Sequence, residues 1–347
     1  MEYFFSLDEL SDEIIRVLIL SFLGFAIATL ITPIYTTLAY NYKFWKRPRE
    51  EALTGEKASV FSKLHKAKHQ RQIPTMAGLI TIASVVAVSL MFNWTREQTW
   101  LPVAALVGAG GVGFIDDLIN IRGVGRGIAG LNSKIKLGLI TAVATIGAWY
   151  FFSKLGYDSF HIPFPNTDLT VGWLLIPIFI FVVVSTANAV NITDGLDGLA
   201  GGLLVSAFGA FGIIAFMQTN YGIAAFCMTI VGALLSYVWF NIYPARFFMG
   251  DVGSFALGTA LGVVAMLTDT LMLLPVIGLV FVLEAGSSLA QLISKKVFGR
   301  KLFVVAPVHH HFEAQGWPET KVTMRFWIIG QVMAVLGVLL ALIGGHI

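Results

Sequence analysis

Apolar stretches that are long enough to cross a membrane recur along almost the whole chain, and they leave no room for a soluble domain of ordinary size. Of the 347 residues, 56% are hydrophobic and 12% are charged, whereas a soluble domain has about 45–50% apolar and about 25% charged residues. A helix needs roughly 20 mostly apolar residues to cross the bilayer. The sequence therefore predicts an all-α, polytopic integral membrane protein, with residues 1–347 forming a single membrane-embedded domain.

Ten such segments predict about ten transmembrane helices. They lie near residues 14–40, 74–92, 101–115, 137–153, 171–190, 202–217, 222–240, 254–268, 271–293 and 323–345. The connections near 41–73, 116–136 and 294–322 hold most of the Lys and Arg residues. Because basic loops stay on the cytoplasmic side of a membrane, this distribution predicts that both termini lie outside.

Aspartates stand at the ends of several apolar segments, where an ionisable group is costly and indicates a functional site. Asp116 and Asp117 follow the Gly-rich run GAGGVGFI. Asp194 and Asp197 lie in NITDGLDGLAGG, and Asp251 lies in FMGDVGS. All five are predicted at the cytoplasmic face, which suggests one composite site. Mg²⁺ binds carboxylates together with water and substrate phosphates, so the candidate metal ligands are Asp251, Asp116 and Asp117, with Asp194 as a further candidate.

The motif NITDGLDGLAGG indicates a ligand-binding turn. Asp194 and Asp197 are three residues apart, which puts both carboxylates on one face if the turn is helical. Asn188 and Asn191 can donate to a phosphate or a base edge and accept from a hydroxyl. The alternative is a helix N-cap with flanking glycines, which would explain one aspartate but not both together with two asparagines.

Basic residues near these motifs have structural as well as functional interpretations. Arg122 or Lys134 could pair with Asp116 or Asp117, or one of these two aspartates could cap a helix. The basic stretch from Lys63 to Arg71 could bind substrate, or it could meet anionic lipid headgroups. Both interpretations stay open.

Three consecutive histidines, His309, His310 and His311, precede FEAQGWPE. Neighbouring residues point in different directions on a regular backbone, and Zn²⁺ sites use wider ligand spacing, so a metal site is not predicted here. Imidazole can donate a hydrogen bond to an anion and adds charge when it is protonated. We therefore predict that the histidines face a phosphate; the alternative is a solvated loop.

Four motifs together carry a resemblance to a known family. FIDD, NAVNITDGLDGLAGG, the pattern NxxPAxxFMGDxGS from Asn241 to Ser254, and APVHHHFEAQGWPE resemble the phospho-N-acetylmuramoyl-pentapeptide transferases of bacterial cell-wall synthesis. These belong to the wider polyprenyl-phosphate N-acetylhexosamine 1-phosphate transferase superfamily. The resemblance runs from about Pro74 to the C-terminus. It implies transfer of phospho-MurNAc-pentapeptide from UDP-MurNAc-pentapeptide to undecaprenyl phosphate, giving lipid I and UMP, with Mg²⁺ as the cofactor.

The resemblance also implies roles for individual residues. Asp251 would be the Mg²⁺ ligand, Asp116 the base or lipid-phosphate partner, and Asp117 its acidic neighbour. The rest of the implied catalytic set is the histidine motif, His309, His310 and His311. The residues implied to bind the substrate are Lys134, Lys136, Asn188, Asn191, Asp194, Gly195, Leu196, Asp197, Asn241, Phe248 and Gln291.

The resemblance further implies the setting in which the chain works. It places the protein in the bacterial cytoplasmic (inner) membrane, in contact with membrane lipids and with no nucleic-acid partner, and it leaves a homodimer open. Of the two lysines, Lys136 matches the family's lysine better than Lys134, because it precedes the apolar run. The chain departs from the family at QIPTMAG, residues 72–78, where the family usually reads GTPTMGG, and in the Gly-rich loop after Asp117.

Elementary chemistry suggests a role for each charged group, whereas the sequence leaves open whether the reaction is a single displacement or passes through a covalent enzyme intermediate. The second pKa of a phosphate monoester is about 6, so the lipid phosphate is largely dianionic, and the difficulty is to bring two anions together. We expect Mg²⁺, Lys136 and the histidines to offset this charge, and Asp116 to orient the lipid phosphate or hold its proton instead of acting as a covalent nucleophile. One rival is a sister enzyme that transfers GlcNAc-1-phosphate, against which HHHFE argues. The other is a non-enzymatic lipid or ion carrier, which predicts polar residues at the membrane midplane.

Overall fold

The computed structural model describes residues 7–45, 72–94, 97–123, 130–164 and 166–345. The basic stretch from Lys63 to Arg71 lies outside these residues, so both of its interpretations stay predictions. The described chain is helical apart from one two-stranded hairpin. In chain order the elements are α1 (Leu7–Asn41), α2 (Gly78–Phe92), α3 (Glu97–Arg122), α4 (Ser133–Ser153), β1 (Ser159–Ile162), β2 (Thr167–Thr170), α5 (Leu175–Thr193), α6 (Leu199–Met217), α7 (Tyr221–Asn241), α8 (Gly250–Leu267), α9 (Leu274–Ile277), α10 (Leu279–Phe298), α11 (Val308–Ala314) and α12 (Glu319–Ile343).

Eight of the described helices are long and apolar enough to cross a membrane, namely α1, α3, α4, α5, α6, α7, α8 and α12. This finding confirms the predicted all-α, polytopic membrane fold. The segment predicted at 74–92 forms the shorter helix α2, of 15 residues. The segment predicted at 271–293 is divided at Gly278 into α9 and α10, and α10 carries polar and basic residues. The count of ten spanning helices and the orientation of the termini therefore stay predictions.

Helix α3 does not end at the paired aspartates but continues to Arg122. Asp116 and Asp117 therefore lie within a helix, whereas the sequence placed them at a helix end. Hydropathy falls at the first aspartate, but the backbone hydrogen bonds that define a helix do not depend on side-chain polarity. For this reason the predicted segment 101–115 is shorter than α3, which spans Glu97–Arg122.

Helix α8 lies at the centre of the fold, and every residue from Gly250 to Leu267 is buried. Small residues make this possible because they let neighbouring helices approach closely. A Cβ atom placed on Gly113 of α3 would lie 2.2 Å from the carbonyl oxygen of Asp251. One placed on Gly258 would lie 2.8 Å from the Cα atom of Ala187 in α5. The Gly-rich run before the paired aspartates is therefore part of the surface on which α8 packs.

Replacing Gly113 by alanine should push α3 away from α8, because the new Cβ atom has no space. Gly111 is the matched control, since a Cβ atom there meets no atom within 4 Å. We expect Gly113→Ala to lower the thermal unfolding midpoint of the detergent-purified protein by several degrees. Gly111→Ala should leave the midpoint unchanged or raise it, because alanine is favoured over glycine inside a helix by about 0.5–1 kcal/mol. Equal midpoints for the two variants would contradict the packing of α3 on α8.

The hairpin of β1 and β2 contacts two distant segments of the chain, namely the C-terminal end of α12 and the segment after α8. The backbone N–H of His161 donates to Asp269 Oδ1 over 3.0 Å. Its ring places Nδ1 2.7 Å from Asp168 Oδ1 and Nε2 2.9 Å from the carbonyl oxygen of Gly344. Both ring partners are acceptors, so only the protonated ring can donate to both. Burial alone would lower the pKa of His161, but these hydrogen bonds and the charges of Asp168 and Asp269 raise it above its usual value.

The raised pKa of His161 predicts a pH-dependent contribution to stability. The contribution is complete below the unfolded-state pKa of about 6.5, and it is lost as the pH rises through the higher folded-state pKa. We therefore expect the difference in unfolding midpoint between the wild type and His161→Gln to be largest near about pH 5.5 and to shrink towards about pH 9. A difference that stays constant, or that grows with pH, would show that the ring is not held in its protonated form.

Candidate active site

The carboxylates of Asp116, Asp117 and Asp251 come together where α3 passes the N-terminal end of α8. Their side-chain oxygens lie within 4.8 Å of one another. All three residues are buried, with exposed fractions of 1%, 0% and 8%. We call them the carboxylate cluster. Within the part of the chain that the structure describes, these are the acidic and histidine side chains grouped closely enough to hold a metal ion, and Asp194 is not among them.

Glycine at position 250 lets Asp251 approach α3. Gly250 has a φ of +76°, a backbone angle that residues with a side chain rarely adopt. A Cβ atom on Gly250 would also lie 2.5 Å from Asp117 Oδ2 and 2.8 Å from the backbone nitrogen of Met76. Asp117 Oδ2 accepts a hydrogen bond from the N–H of Val252 in the first turn of α8, over 3.1 Å. Asp117 therefore caps α8, as one of the structural interpretations of the aspartate pair proposed.

Lys136 of α4 connects the other two carboxylates. Its Nζ atom lies 2.8 Å from Asp116 Oδ2 and 2.6 Å from Asp251 Oδ2. The second oxygen of Asp116, Oδ1, accepts from the backbone N–H of Leu131 over 2.6 Å. Lys134 lies on the exposed surface at the start of α4, where its backbone N–H binds the cap residue Asn132. Of the two candidate lysines, it is thus Lys136 that contacts the carboxylate cluster.

The charges of the cluster suit a divalent cation. Three buried carboxylates lie near one ammonium, that of Lys136, so ionised side chains would leave an excess of negative charge. Buried charges must be paired to be tolerated, and Mg²⁺ prefers carboxylate oxygens. The donor set therefore fits the predicted metal, with Asp251, Asp116 and Asp117 as the residues able to hold it.

The turn between α5 and α6, residues Asp194–Gly198, is called the DG turn below. Asn191, three residues before it, donates from Nδ2 to Ser254 Oγ over 2.9 Å, and Ser254 is one helical turn from Asp251. On its other side, the turn faces the histidine motif. A Cβ atom on Gly195 would lie 2.4 Å from His309 Nε2 and 3.4 Å from Nε2 of the next histidine. Three of the predicted motifs therefore lie next to one another.

The histidines of α11 have separate environments. Nδ1 of His309 lies 2.7 Å from Glu284 Oε2, and both side chains are fully buried. Nδ1 of His310 lies 2.7 Å from Glu313 Oε2. His311 points towards the preceding loop, where its Nδ1 accepts from the N–H of Val304 over 3.3 Å. The expectation that neighbouring histidines diverge holds for His311 but is wrong for His309 and His310, whose rings face the same DG turn with centroids 4.0 Å apart.

His310 is neutral near pH 7. Burial and the charge of His309 lower the pKa of His310 to about 4, although Glu313 acts in the opposite direction. The carboxylate of Glu313 can only accept, so Nδ1 of His310 carries the proton and Nε2 is an acceptor. A hydrogen bond from Nε2 of His310 to a phosphate would therefore require the ring to take up a proton first.

Comparison with known proteins identifies the family. The chain matches the family model described as Glycosyl transferase family 4 over residues 99–269. The phospho-N-acetylmuramoyl-pentapeptide-transferase of Bacillus licheniformis is 39% identical over 325 residues, covering 91% of this chain and 95% of that protein. The enzyme of the same name from Bacillus subtilis has the same identity and coverage, and that of Chloroflexus aurantiacus is 37% identical over 97% of this chain and 92% of its own length. The chain belongs to the phospho-N-acetylmuramoyl-pentapeptide-transferase family.

The two kinds of match cover different parts of the site. The glycosyl transferase match at 99–269 contains the carboxylate cluster and the DG turn but ends before the histidines. The matches to the phospho-N-acetylmuramoyl-pentapeptide-transferases extend over at least 91% of the chain. The assignment of the histidine motif to one branch of a wider superfamily stays a prediction.

Asp197 and Asn241, both predicted to bind substrate, hold the DG turn in this family member. Asp197 Oδ2 accepts from the N–H of Ala245 over 3.0 Å. Asn241 Oδ1 accepts from the N–H of Gly198 over 2.9 Å, and its Nδ2 donates to the carbonyl of Phe247 over 2.8 Å. These side chains tie the turn to the connection between α7 and α8. Whether they also contact a substrate stays a prediction.

Other predicted binding residues also make protein contacts. The backbone of Phe248 pairs with the PTMAG segment, through its N–H to the carbonyl of Pro74 and its carbonyl to the N–H of Ala77. Gln291 uses its side-chain amide to hold the loop at 302–303. Asn188 donates to the carbonyl of Val184, one turn earlier in α5. Their roles towards a substrate remain predictions.

Glu284 is a site residue that the sequence interpretation missed. It is fully buried against His309, yet it was passed over because it lies inside the apolar segment 271–293. The rule that identified the aspartates, namely that an ionisable group within an apolar segment indicates function, could have identified it too.

Replacing Lys136 by methionine should leave Asp116 and Asp251 buried without their shared cation. Breaking a buried ion pair by removing one partner costs about 3–5 kcal/mol, so we expect a clearly lower unfolding midpoint for Lys136→Met. Added Mg²⁺ should restore more stability to this variant than it adds to the wild type, because a ligand that binds the folded state stabilises it.

Lys134→Met is the matched control and should behave like the wild type with and without Mg²⁺. The measurement is the unfolding midpoint in detergent over a titration of MgCl₂. A Lys136→Met protein that Mg²⁺ stabilises no more than it stabilises the control would contradict a cation site at the cluster.

Proposed function

We propose that the protein transfers phospho-MurNAc-pentapeptide from UDP-MurNAc-pentapeptide to undecaprenyl phosphate, forming lipid I and UMP. The observation that carries this proposal is the match, at 39% identity over 91% of the chain, to enzymes named phospho-N-acetylmuramoyl-pentapeptide-transferase. The buried cluster of Asp116, Asp117 and Asp251 beside Lys136 supports it.

The reaction must bring two anionic groups together, and the chain's own charges are arranged for this task. The ammonium of Lys136 lies between Asp116 and Asp251 and offsets charge where the phosphates meet. Mg²⁺ held by Asp251 with Asp116 or Asp117 would neutralise part of the charge on the donor diphosphate.

Asp116 acts in this proposal as the residue that orients the lipid phosphate or holds its proton. Both of its oxygens accept hydrogen bonds, one from Lys136 and one from the N–H of Leu131. A carboxylate held in this way is well positioned but weakened as a nucleophile, because its lone pairs and charge are engaged. The proposal is therefore a single displacement without a covalent enzyme intermediate.

The DG turn and the histidines supply the donor site. Asp194, Gly195 and Leu196 belong to this turn. Gly195 lies next to His309 and His310, and Asn191, just before the turn, donates to Ser254 of α8. Backbone groups and glycines let a nucleotide diphosphate approach closely. His310 Nε2, as an acceptor, is suited to a hydroxyl group of the donor.

The proposed location is the bacterial cytoplasmic membrane. Residues 1–347 act as one membrane-embedded domain, with the active site at the cytoplasmic face. The helices that are long enough to span a membrane support this placement, as do the bacterial sources of the relatives.

The test is UMP release by the detergent-purified protein supplied with UDP-MurNAc-pentapeptide, undecaprenyl phosphate and Mg²⁺. We expect release that needs all three, and a fall of at least about 100-fold for Asp251→Asn, since a charged group at the reacting centre typically contributes this much. The control is Asp158→Asn, which replaces an exposed aspartate near the hairpin and should keep full activity.

The outcomes separate the rival functions. UMP release with UDP-GlcNAc instead of the muramoyl donor would identify the chain as a GlcNAc-1-phosphate transferase. Folded protein that releases no UMP with either donor would overturn the enzymatic proposal in favour of a carrier. A covalent adduct at Asp116, detected by mass spectrometry after acid quench, would overturn the single displacement alone.

A further inference from the structure

Three side chains of α12 bind the backbone of the DG turn. Glu319 Oε1 accepts from the N–H of Asp197 over 2.7 Å. Thr323 Oγ1 donates to the carbonyl of Asp197 over 3.3 Å. Trp327 Nε1 donates to the carbonyl of Gly198 over 3.1 Å. Successive backbone groups of the turn are thus held by one helix.

The spacing of the three residues explains how one helix can do this. Positions 319, 323 and 327 are four residues apart, so their side chains lie in a row along one face of α12. Glu319 is the first residue of the helix, where a carboxylate is favoured by the helix dipole.

Glycines in DGLAGG leave the space that the ring of Trp327 occupies. A Cβ atom on Gly202 would lie 2.2 Å from Cε2 and Nε1 of Trp327, and one on Gly198 would lie 3.2 Å from its Cζ2. Gly198 also has a φ of +77°. The glycines after Asp197 therefore serve the packing of α12 against the turn.

Helix α12 also holds the helix that bears the histidines. Trp317, two residues before α12, stacks on Phe312 of α11 with ring centroids 4.9 Å apart. Lys321 Nζ and Arg325 Cζ of α12 each lie 4.5 Å from the centroid of the Trp317 ring. The first two turns of α12 thus contact both the histidine helix and the DG turn.

We propose that Glu319, Thr323 and Trp327 are positioning residues that fix the DG turn in register with His309 and His310, and that they set the affinity for the uridine-nucleotide donor. The inference rests on the proposed function, in which the DG turn is part of the donor site. The three residues contact the backbone of the turn and act through it. They therefore affect the binding of the donor, and they leave the chemical step and the binding of the lipid acceptor unchanged.

The test compares Thr323→Val, which keeps the shape of the side chain but removes the donor, with Thr323→Ser, which keeps the donor. We expect Thr323→Val to raise the KM for UDP-MurNAc-pentapeptide about 3- to 10-fold, the effect of one hydrogen bond, with kcat and the KM for undecaprenyl phosphate changed by less than about 2-fold. Thr323→Ser should restore the wild-type KM.

Trp327→Phe provides a second, independent variant, which removes the N–H together with the part of the indole that lies against Gly202 and Gly198. It should show the same split between KM and kcat. Unfolding midpoints are recorded for all variants, so that loss of folded protein, which lowers apparent kcat and leaves KM unchanged, is separated from mispositioning.

The inference fails if the variants lower kcat with the donor KM unchanged, if they raise the KM for both substrates equally, or if they match the wild type. The wild-type enzyme is the reference for the proposed function itself. Wild-type protein without UMP release would overturn that function, whereas normal wild-type turnover with an unchanged donor KM in the variants would overturn the positioning role alone.

Discussion

The ammonium of Lys136, shared between Asp116 and Asp251, is the interaction on which the site depends. Carboxylates buried among apolar helices are tolerated only when they are paired, and here the partners come from three helices, α3, α4 and α8. The sharing requires α3 and α8 to approach closely, and Gly113 permits this because any side chain there would meet the backbone of Asp251. The Gly-rich run and the acidic residues that follow it are therefore two parts of one constraint. The glycines bring the helices together, and the closeness of the helices lets one cation serve two carboxylates.

Much of this site could be predicted from the sequence because polar residues are rare in such a chain. The ends of apolar segments indicated the aspartates, and the consecutive run indicated the histidines. The structure brings three of the aspartates together and places the NITDGLDGLAGG motif next to the histidines. What the sequence could not give is the separate role of each member of a pair. Asp116 and Asp117 leave α3 in directions about 100° apart, so one meets Lys136 and the other caps α8. Both the structural and the functional interpretation of the pair are thus present, on different residues.

The order of the helices could likewise be predicted in large part, because polar residues separate the apolar segments. Hydropathy located the helices but not their ends, since α3 continues past its aspartates and the segment at 271–293 is divided at Gly278. It gave no sign of the hairpin, whose strands have four residues each and mixed polarity. It also concealed the role of α12, because Thr323 and Trp327 belong to a segment that reads as membrane-spanning, and their contacts depend on which face of the helix they occupy. Thr323 and Trp327 lie in none of the predicted motifs, whereas Glu319 is the last residue of GWPE.

The DG turn shows why such contacts matter in a membrane protein. A turn has no repeating hydrogen-bond pattern of its own, and its buried backbone groups must still find partners. Asn241 of α7 and the row of side chains on α12 satisfy those of Asp197 and Gly198. A turn whose backbone is held in this way keeps its shape when no substrate is present, so binding a charged donor requires little reorganisation. Because α12 also contacts the histidine helix through Trp317, a shift of that helix would change the turn and the histidines together. The DG turn and the histidine helix are thus held together by α12, whose first residue, Glu319, is the last residue of the motif APVHHHFEAQGWPE.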